Sequence, residues 1–361
     1  MKYNSIRRRT NAVKIGNVTV GGAAPIAIQS MTNTDTKDKE ATLTQIKGLE
    51  AAGCDIVRIT VPDIEAADTI PFLKENGVNI PIVADIHFDY RVALRCAEVG
   101  VDKIRINPGN IGDDERVRAV CRICNEKNIP IRIGVNSGSL EKEILAKHGA
   151  PTPEALCESA LYHAALLERF DFHNTVISIK ASDPYNMIAA NRLLAEQCDY
   201  PLHLGVTEAG SREMGSIKSA VGIGLLLCDG IGDTVRVSLT DDPIEEIGAA
   251  KKIFKAVGID GQRGMDIVSC PTCGRTKIDL IPIVAEFERR AAEERITDIP
   301  VKVAIMGCIV NGPGEAREAD VGVAGGKGEA VLIKKGEIIR KIPEGDIVSA
   351  LIDEVKKFKD R

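Results

Sequence analysis

The chain has 361 residues, enough for two domains with cores of their own and too long for a fold held together by disulfide staples. Apolar residues make up 44% and charged residues 27%, an ordinary globular balance that excludes wholesale disorder, and 47 basic against 52 acidic side chains leave a net charge of -5, so any anion site must be local. With 3% aromatics and no tryptophan, the chain lacks the stacking platforms that bind single-stranded nucleic acid, and no nucleic-acid partner is expected.

The first residues, MKYNSIRRRTNAVKIG, are basic but no apolar core follows them, and no uncharged apolar run reaches the ~18 residues of a membrane span. A cytoplasmic protein without a membrane segment is the expectation. From residue 25 onward, short β-branched runs bounded by Gly, Pro, Asn or Asp recur: PIAIQSMT (25–32), CDIVRITV (54–61), IPIVADIH (80–87), VDKIRINPG (101–109), IPIRIGVN (129–136), TVISIKAS (175–182), PLHLGVTEAG (201–210) and DTVRVSLT (233–240). Helical patterns such as TLTQIKGLEAAG, YRVALRCAEVG and PEALCESALYHAALLERF stand between them, and this alternation predicts a parallel sheet. Eight such units over about 250 residues is the arithmetic of a TIM (β/α)8 barrel, and no GxGxxG follows the first strand as a dinucleotide fold would require.

Active sites of such barrels lie at the carboxyl ends of the strands. Those ends are polar here: Arg58, Asp85 and His87, Arg105 and Asn107, Arg132 and Asn136, Lys180, His203 and Glu208, Arg236 and Ser238. An Arg or Lys within a buried parallel strand is costly unless it reaches the mouth and meets an anion. Any one of Arg58, Arg105, Arg132, Lys180 and Arg236 could be satisfied by an internal ion pair. All five together, with Asp85 and Glu208 as the nearby strand-end acids, point to a multiply charged ligand, and a diphosphate suits. His87 and His203 lack the spacing of a metal-binding pair.

The alternation stops in a glycine-containing passage around residues 254–264, which reads as a linker between a barrel domain, 1–258, and a second domain, 259–361. In the second domain a helix opened by Asp279 carries Leu280, Ile283, Val284, Phe287 and Ala291 on one face. A strand VKVAIMG (301–307), strands near 320–324 and 329–334 and a closing helix near 345–358 follow, making a small α/β unit.

Cys270-Pro-Thr-Cys273 and, later, Cys308 at the head of a loop rich in Gly, Pro and Asn are the only cysteines of this domain. In a reducing compartment ten cysteines are not a disulfide framework. A CxxC sets two sulfurs on one turn, and a third at a strand-to-loop junction can reach the same ion or cluster. Glu315, seven residues past Cys308, is the candidate fourth ligand, an oxygen donor that a substrate hydroxyl could displace, with Asn311 and Glu318 as further candidates. The other seven cysteines lie in apolar stretches and read as packing residues, including the CxxC of Cys121 and Cys124 inside a helical pattern. A competing reading keeps the cations but makes the three cysteines a structural zinc site, in a barrel that condenses or cleaves a phosphorylated metabolite as dihydropteroate synthase does.

The segments SCPTCGRT, MGCIVNGPGEA, ADIHF, KIRINPGNIG, RIGVNSGSL, ISIKASD and HLGVTEAG, spread over both domains, resemble the 4-hydroxy-3-methylbut-2-enyl diphosphate synthase family of the non-mevalonate isoprenoid pathway, without departure at the motif positions. The resemblance implies a TIM barrel similar to that of dihydropteroate synthase and a small domain like a sulfite-reductase module, carrying a 4Fe-4S cluster on Cys270, Cys273, Cys308 and Glu315. It also implies the two-domain bacterial form, a homodimer in which the cluster domain of one subunit covers the barrel of the other. The implied reaction is reductive opening of 2-C-methyl-D-erythritol 2,4-cyclodiphosphate to 4-hydroxy-3-methylbut-2-enyl diphosphate and water, with electrons from flavodoxin or ferredoxin. On that reading the five cations, with Asn107, Asn136, Ser238 and Asn311, hold the diphosphate. Asp85, His87, His203 and Glu208 are the candidates to protonate the departing hydroxyl, and Glu315 is the ligand that yields its iron to the substrate.

Overall fold

The computed structural model describes residues 6–259, 264–310, 314 and 316–359. Its contacts divide the chain into two compact units, residues 1–257 and 258–361.

The first unit begins with an antiparallel hairpin, β1 (Val13–Ile15) and β2 (Val18–Val20), turning through Gly16 at φ +54° and Asn17. Its Val13, Ile15 and Val20 pack against Ala27, Ile56, Val83 and Val176 of the barrel strands and give the barrel an apolar floor. This hairpin was not anticipated, although VKIGNVTV alternates about a Gly-Asn pair in the manner of a tight hairpin.

The barrel strands are β3 (Ala27–Met31), β4 (Ile56–Thr60), β5 (Ile82–Asp85), β6 (Lys103–Ile106), β7 (Ile131–Asn136), β8 (Thr175–Lys180), β9 (His203–Leu204) and β10 (Thr234–Val235). They pair in parallel in the order β8-β7-β6-β5-β4-β3-β10-β9, and an isolated parallel bridge from Ile177 to Leu202 joins the two ends of the sheet. All eight expected strands are present, but β9 and β10 are only two residues long. At Gly205 a Cβ would lie 2.5 Å from the Arg236 carbonyl oxygen, so the two chains draw together there and the ladder gives way to polar loops.

Between the strands run α1 (Lys39–Ala51), α2 (Ile64–Ala67), α3 (Thr69–Glu75), α4 (Tyr90–Glu98), α5 (Asp114–Lys127), α6 (Lys142–His148), α7 (Pro153–Glu168), α8 (Pro184–Gln197), α9 (Arg212–Cys228) and α10 (Pro243–Val257). Local chemistry sets several of their ends. Asp38, Asp89, Asp113, Thr152 and Asp183 accept backbone N–H groups of the first turns of α1, α4, α5, α7 and α8. Proline opens α7 and α8, where a missing N–H costs nothing. Among the described residues no helix is long and apolar enough to cross a membrane.

The second unit holds β11 (Asp266–Ser269), α11 (Leu280–Glu293), β12 (Lys302–Met306), β13 (Val321–Gly325), β14 (Glu329–Lys334), β15 (Glu337–Pro343) and α12 (Ile347–Lys356). The sheet order is β11-β12-β13-β14-β15, parallel across the first three strands and antiparallel across the last three. Phe287 and Ala291 of α11 and Leu351, Ile352 and Val355 of α12 cover Val303, Ile305, Val321 and Val323 on one face, with Ile283 and Val284 packed against them. The expected apolar face of α11 is therefore the one that builds this core. Asp279 stands at its N-cap, where its backbone N–H donates to Glu344 Oε1 at 2.7 Å while its carboxylate makes no cap. Two strands were missed. β11 lies where sequence shows only the approach to Cys270, and β15 follows β14 through a tight turn at Lys335 and Gly336, both at positive φ.

Because Phe287 is fully buried between α11 and the sheet, Phe287→Ala should lower the stability of the second unit by about 3–5 kcal/mol. Denaturant unfolding followed by circular dichroism measures it, and a loss below about 1 kcal/mol would show that this ring does not anchor the core.

Candidate active site

Side chains alternate along a strand, so Arg58 of β4, Asp85 of β5, Arg105 of β6, Asn136 of β7, and Ser178 and Lys180 of β8 turn toward the barrel axis from the middle or later half of their strands, joined by Arg132 from the second position of β7. With His87, Thr207 and Arg236 they line a cavity of about 160 Å³. Register brings the charges side by side, Asp85 pairing with Arg105 and Arg105 with Arg132 on successive strands. Larger hollows exist, one of about 720 Å³ along α6 and α7, lined by more carboxylates than lysines, and one of about 470 Å³ beside Cys270, but neither gathers an excess of cations.

Two carboxylates hold three of the five cations. Asp85 accepts from Arg105 Nη1 at 3.0 Å, and its second oxygen lies 3.7 Å from Arg58 Nε and 3.9 Å from His87 Nε2. Glu246, in the first turn of α10, accepts from Arg236 Nε and Nη2 at 3.3 and 3.2 Å and from Ser30 Oγ at 2.8 Å. Arg58 also donates to Met31 Sδ, at 2.8 Å from Nη2. Glycine makes the crowding possible, since a Cβ on Gly134 would collide with the Arg105 guanidinium and one on Gly205 would lie 3.1 Å from Lys180 Nζ.

Burial opposes ionisation of Asp85, yet Arg58, Arg105, His87 and Arg132 outweigh it and hold the carboxyl at about 2. Burial, then Arg58 and Arg105, push Arg132 down, and burial, then Arg236 and Arg58, push Lys180 down. Arg132 stays protonated at neutral pH all the same, because a guanidinium starts above about 12. Arg132 is 1% exposed. Four guanidinium groups and the Lys180 amine face two carboxylates in this cavity, and an anion of two or more charges is what relieves their crowding.

The expected site residues do not all arrive here. Arg58, Asp85, His87, Arg105, Arg132, Asn136, Lys180 and Arg236 converge on the cavity. Asn107 instead caps the turn at Pro108–Asn110, accepting from Gly109 N at 3.1 Å, and Ser238 is half-buried outside the lining. Glu208 is exposed in the loop after β9 at φ +52°, one residue from Thr207, which does line the cavity. His203 needs correction as a mouth residue. It is fully buried one pleat below Gly205, its Nδ1 shares a 2.6 Å hydrogen bond with Thr234 Oγ1, and burial, then Arg132 and Lys180, keep its ring neutral, so it offers no proton at the mouth. Glu246, Ser178 and Thr207 were not anticipated. Glu246 sits ten residues past Arg236 in a helix, where an early acid reads as a complement to the helix dipole, and it takes the counter-ion role expected of Glu208.

In the second unit, β11 and β12 run parallel with Ser269 beside Ile305, so Cys270 and Cys308 leave the same end of the sheet. Gly307 N–H donates to Cys270 Sγ at 3.2 Å, and Cys270 N–H to the Ile305 carbonyl at 3.4 Å. Cys273 is exposed in a turn tied by its N–H to Thr276 Oγ1 at 3.2 Å, and the backbone N–H and then the guanidinium of Arg275 hold its thiol below the ordinary value. Glu315 and Asn311 lie outside the described residues. Among those described, no group of three His, Cys, Asp or Glu is spaced to hold a metal ion. The fit to a metal group therefore rests on donor chemistry: Cys270 and Cys308 leave one sheet end and Cys273 follows three residues after Cys270, one thiol receiving an N–H and one biased toward thiolate, as cluster ligands require. Of the other cysteines, Cys54, Cys96 and Cys121 have thiols that burial pushes up to about 12, which makes them inert, whereas Cys228 is exposed at the end of α9 and is not a packing residue.

A TIM barrel whose mouth collects five cations, joined to a unit presenting three cysteines, is an enzyme of a phosphorylated small molecule with redox capability. Residues 10–251 match the GcpE TIM-barrel domain and residues 266–357 the GcpE protein C-terminal domain, and the chain belongs to the GcpE family. A Clostridium perfringens protein named 4-hydroxy-3-methylbut-2-en-1-yl diphosphate synthase (flavodoxin) is 59% identical over 346 residues, 96% of this chain and 98% of its own. One of the same name from Ruminiclostridium cellulolyticum is 57% identical over 352 residues, 98% of each chain. Among solved structures, the Yersinia pestis dihydropteroate synthase aligns with a TM-score of 0.48 at 12% identity, over 68% of this chain and 98% of that one.

The depressed carboxyl of Asp85 makes a prediction about pH. Its folded value of about 2 lies below the ordinary 3.8, so the stability it contributes is complete above the ordinary value and is lost as pH falls through the folded one. The stability advantage of the wild type over Asp85→Asn should shrink by about 2 kcal/mol between pH 4 and 2 in urea titrations. A constant difference across that window would mean that Asp85 is not ionised against its arginines.

Proposed function

We propose that this chain reductively opens 2-C-methyl-D-erythritol 2,4-cyclodiphosphate to (E)-4-hydroxy-3-methylbut-2-enyl diphosphate and water, in isoprenoid precursor synthesis by the non-mevalonate route. The observation that carries the reading is the excess of buried cations over carboxylates at the barrel mouth. Arg58, Arg105, Arg132, Lys180 and Arg236 bind the cyclic diphosphate by charge-assisted hydrogen bonds, with Asn136, Ser178 and Thr207 as neutral partners. When the C–O bond to phosphate breaks, a doubly charged ester becomes a triply charged diphosphate, and the cations already in position stabilise the added charge without reorganising.

Cys270, Cys273 and Cys308, with Glu315, would hold a 4Fe-4S cluster, which would supply single electrons and a Lewis-acidic site. Asp85 is ionised at neutral pH, so it orients Arg58 and Arg105 and donates no proton. His87, with a side chain 46% exposed at the rim, and Glu208, on its left-handed backbone beside Thr207, are the residues assigned to protonate the departing hydroxyl. Flavodoxin, which the relatives' names carry, is the assigned electron donor, with ferredoxin in the same role as the alternative. The reading includes a cytoplasmic homodimer, which light scattering of the purified protein tests.

Arg132→Met and Lys180→Met keep side-chain volume and remove one charge each. Each should weaken binding of the cyclic diphosphate by about 1.5–3 kcal/mol with iron content unchanged, measured by calorimetry. Unchanged affinity in both would make the cations structural and remove the basis of the reading.

The ligand set has its own test. Cys270→Ser, Cys273→Ser and Cys308→Ser should each lose the cluster, whereas Glu315→Ala should keep most of the iron and lose most of the turnover, because only its oxygen must be displaced. Iron and sulfide analysis beside anaerobic turnover separates these outcomes, and it also separates iron from the zinc alternative, which would be colourless and iron-free. Near-normal turnover in Glu315→Ala would transfer the fourth position to another residue.

A further inference from the structure

Below the arginines lies a second polar tier that the proposed chemistry does not use. Lys103 is on β6 two positions before Arg105, hence on the same face and about 7 Å deeper along the strand. It is 0% exposed and its Nζ has no hydrogen-bond partner. Its register neighbour on β5 is Val83, and Asp85, further along that strand, is occupied by Arg105 and Arg58. From β7 it meets Arg132, whose Nε and Nη1 are unpartnered, and from β4 it meets Arg58. From β9 comes His203, with Nε2 unpartnered, which is itself under the influence of Lys180 of β8. Gln29 of β3 is buried with both amide atoms unpartnered, and the floor beneath is the apolar cluster around Val13 and Ile15.

Among the described residues, the charges that act on Lys103 are those of Arg132 and Arg58, both positive, and they add to its burial. Burial first, then Arg132 and Arg58, push its amine well below the ordinary lysine range. A cyclic diphosphate in the cavity above would reverse the sign of the nearest field, and ring opening would add a further negative charge at the same place.

We propose that Lys103 is the charge-compensating group of the anion site: neutral in the empty barrel, it takes one proton from solvent when the cyclic diphosphate occupies the mouth and returns it when product leaves. The inference rests on the reading of the mouth as a diphosphate site. Linkage fixes the consequence for binding. A site that takes up a proton with its ligand binds more tightly at lower pH, so affinity should fall by up to about tenfold per unit as pH rises above neutrality.

Calorimetric titration of the oxidised, cluster-loaded enzyme with 2-C-methyl-D-erythritol 2,4-cyclodiphosphate, in two buffers of different ionisation enthalpy, reads the proton directly. The phosphodiesters of this ligand do not titrate near neutrality, so any proton taken up belongs to the protein. Wild type should take up about one proton per substrate. Lys103→Arg, whose charge is permanent, should bind without uptake, and Lys103→Met, which removes the amine, should bind without uptake and with a flat pH dependence of Kd. His203→Gln should retain the uptake. Proton uptake that persists in both Lys103 variants, that disappears in His203→Gln, or that is absent from the wild type overturns the assignment. Absence of any binding heat in the wild type overturns instead the diphosphate reading of the mouth, and the assignment with it.

Discussion

Repulsion among cations buried in the barrel is the constraint around which the first unit is arranged. A guanidinium or ammonium withdrawn from water needs a counter-charge, and among the described residues Asp85 pairs with Arg58 and Arg105 and Glu246 with Arg236, while Arg132 and Lys180 crowd the same cavity. The shortfall explains why Gly134 and Gly205 stand where guanidinium and ammonium groups cross, and why the polar tier rests on an apolar floor closed by the β1–β2 hairpin. The unit is thereby less stable empty than filled, and its binding energy for an anion is set in advance by the fold.

The same electrostatics sort the titratable groups around the mouth. Asp85 is held ionised, which suits it to aligning arginines, while His203 is held neutral by burial beneath them. His87 is exposed at the rim, 3.9 Å from Asp85 and open to solvent. Depth along the barrel axis, rather than residue type, separates the two histidines.

In the second unit the decisive geometry is the parallel pairing of β11 with β12. Parallel neighbours end together, so cysteines that are 38 positions apart, at 270 and 308, leave the sheet at one edge. Both helices pack on one face, with Phe287 and Leu351 in the core, and Gly307 supplies a backbone N–H to Cys270 Sγ. Such N–H···S contacts favour the thiolate that an iron–sulfur cluster needs.

Much of this was legible in the residues. Eight β-branched runs alternating with amphipathic stretches specified the barrel, because each strand is covered on its outer face by the helix that follows it, and charged residues inside those runs marked the mouth. The CxxC and the distant Cys308 marked the second centre by type and spacing. Periodicity carries no information about depth or about partners from distant segments, and those were decided only by the tertiary structure. His203 reads like His87 at a strand end until register sets it a pleat lower, against Thr234. Glu246 reads as a helix-dipole acid until α10 folds back and presents it to Arg236. Lys103 reads as one more strand cation, and only the closed barrel, which buries it beside Arg132 and Arg58, pushes its amine well below the ordinary lysine range.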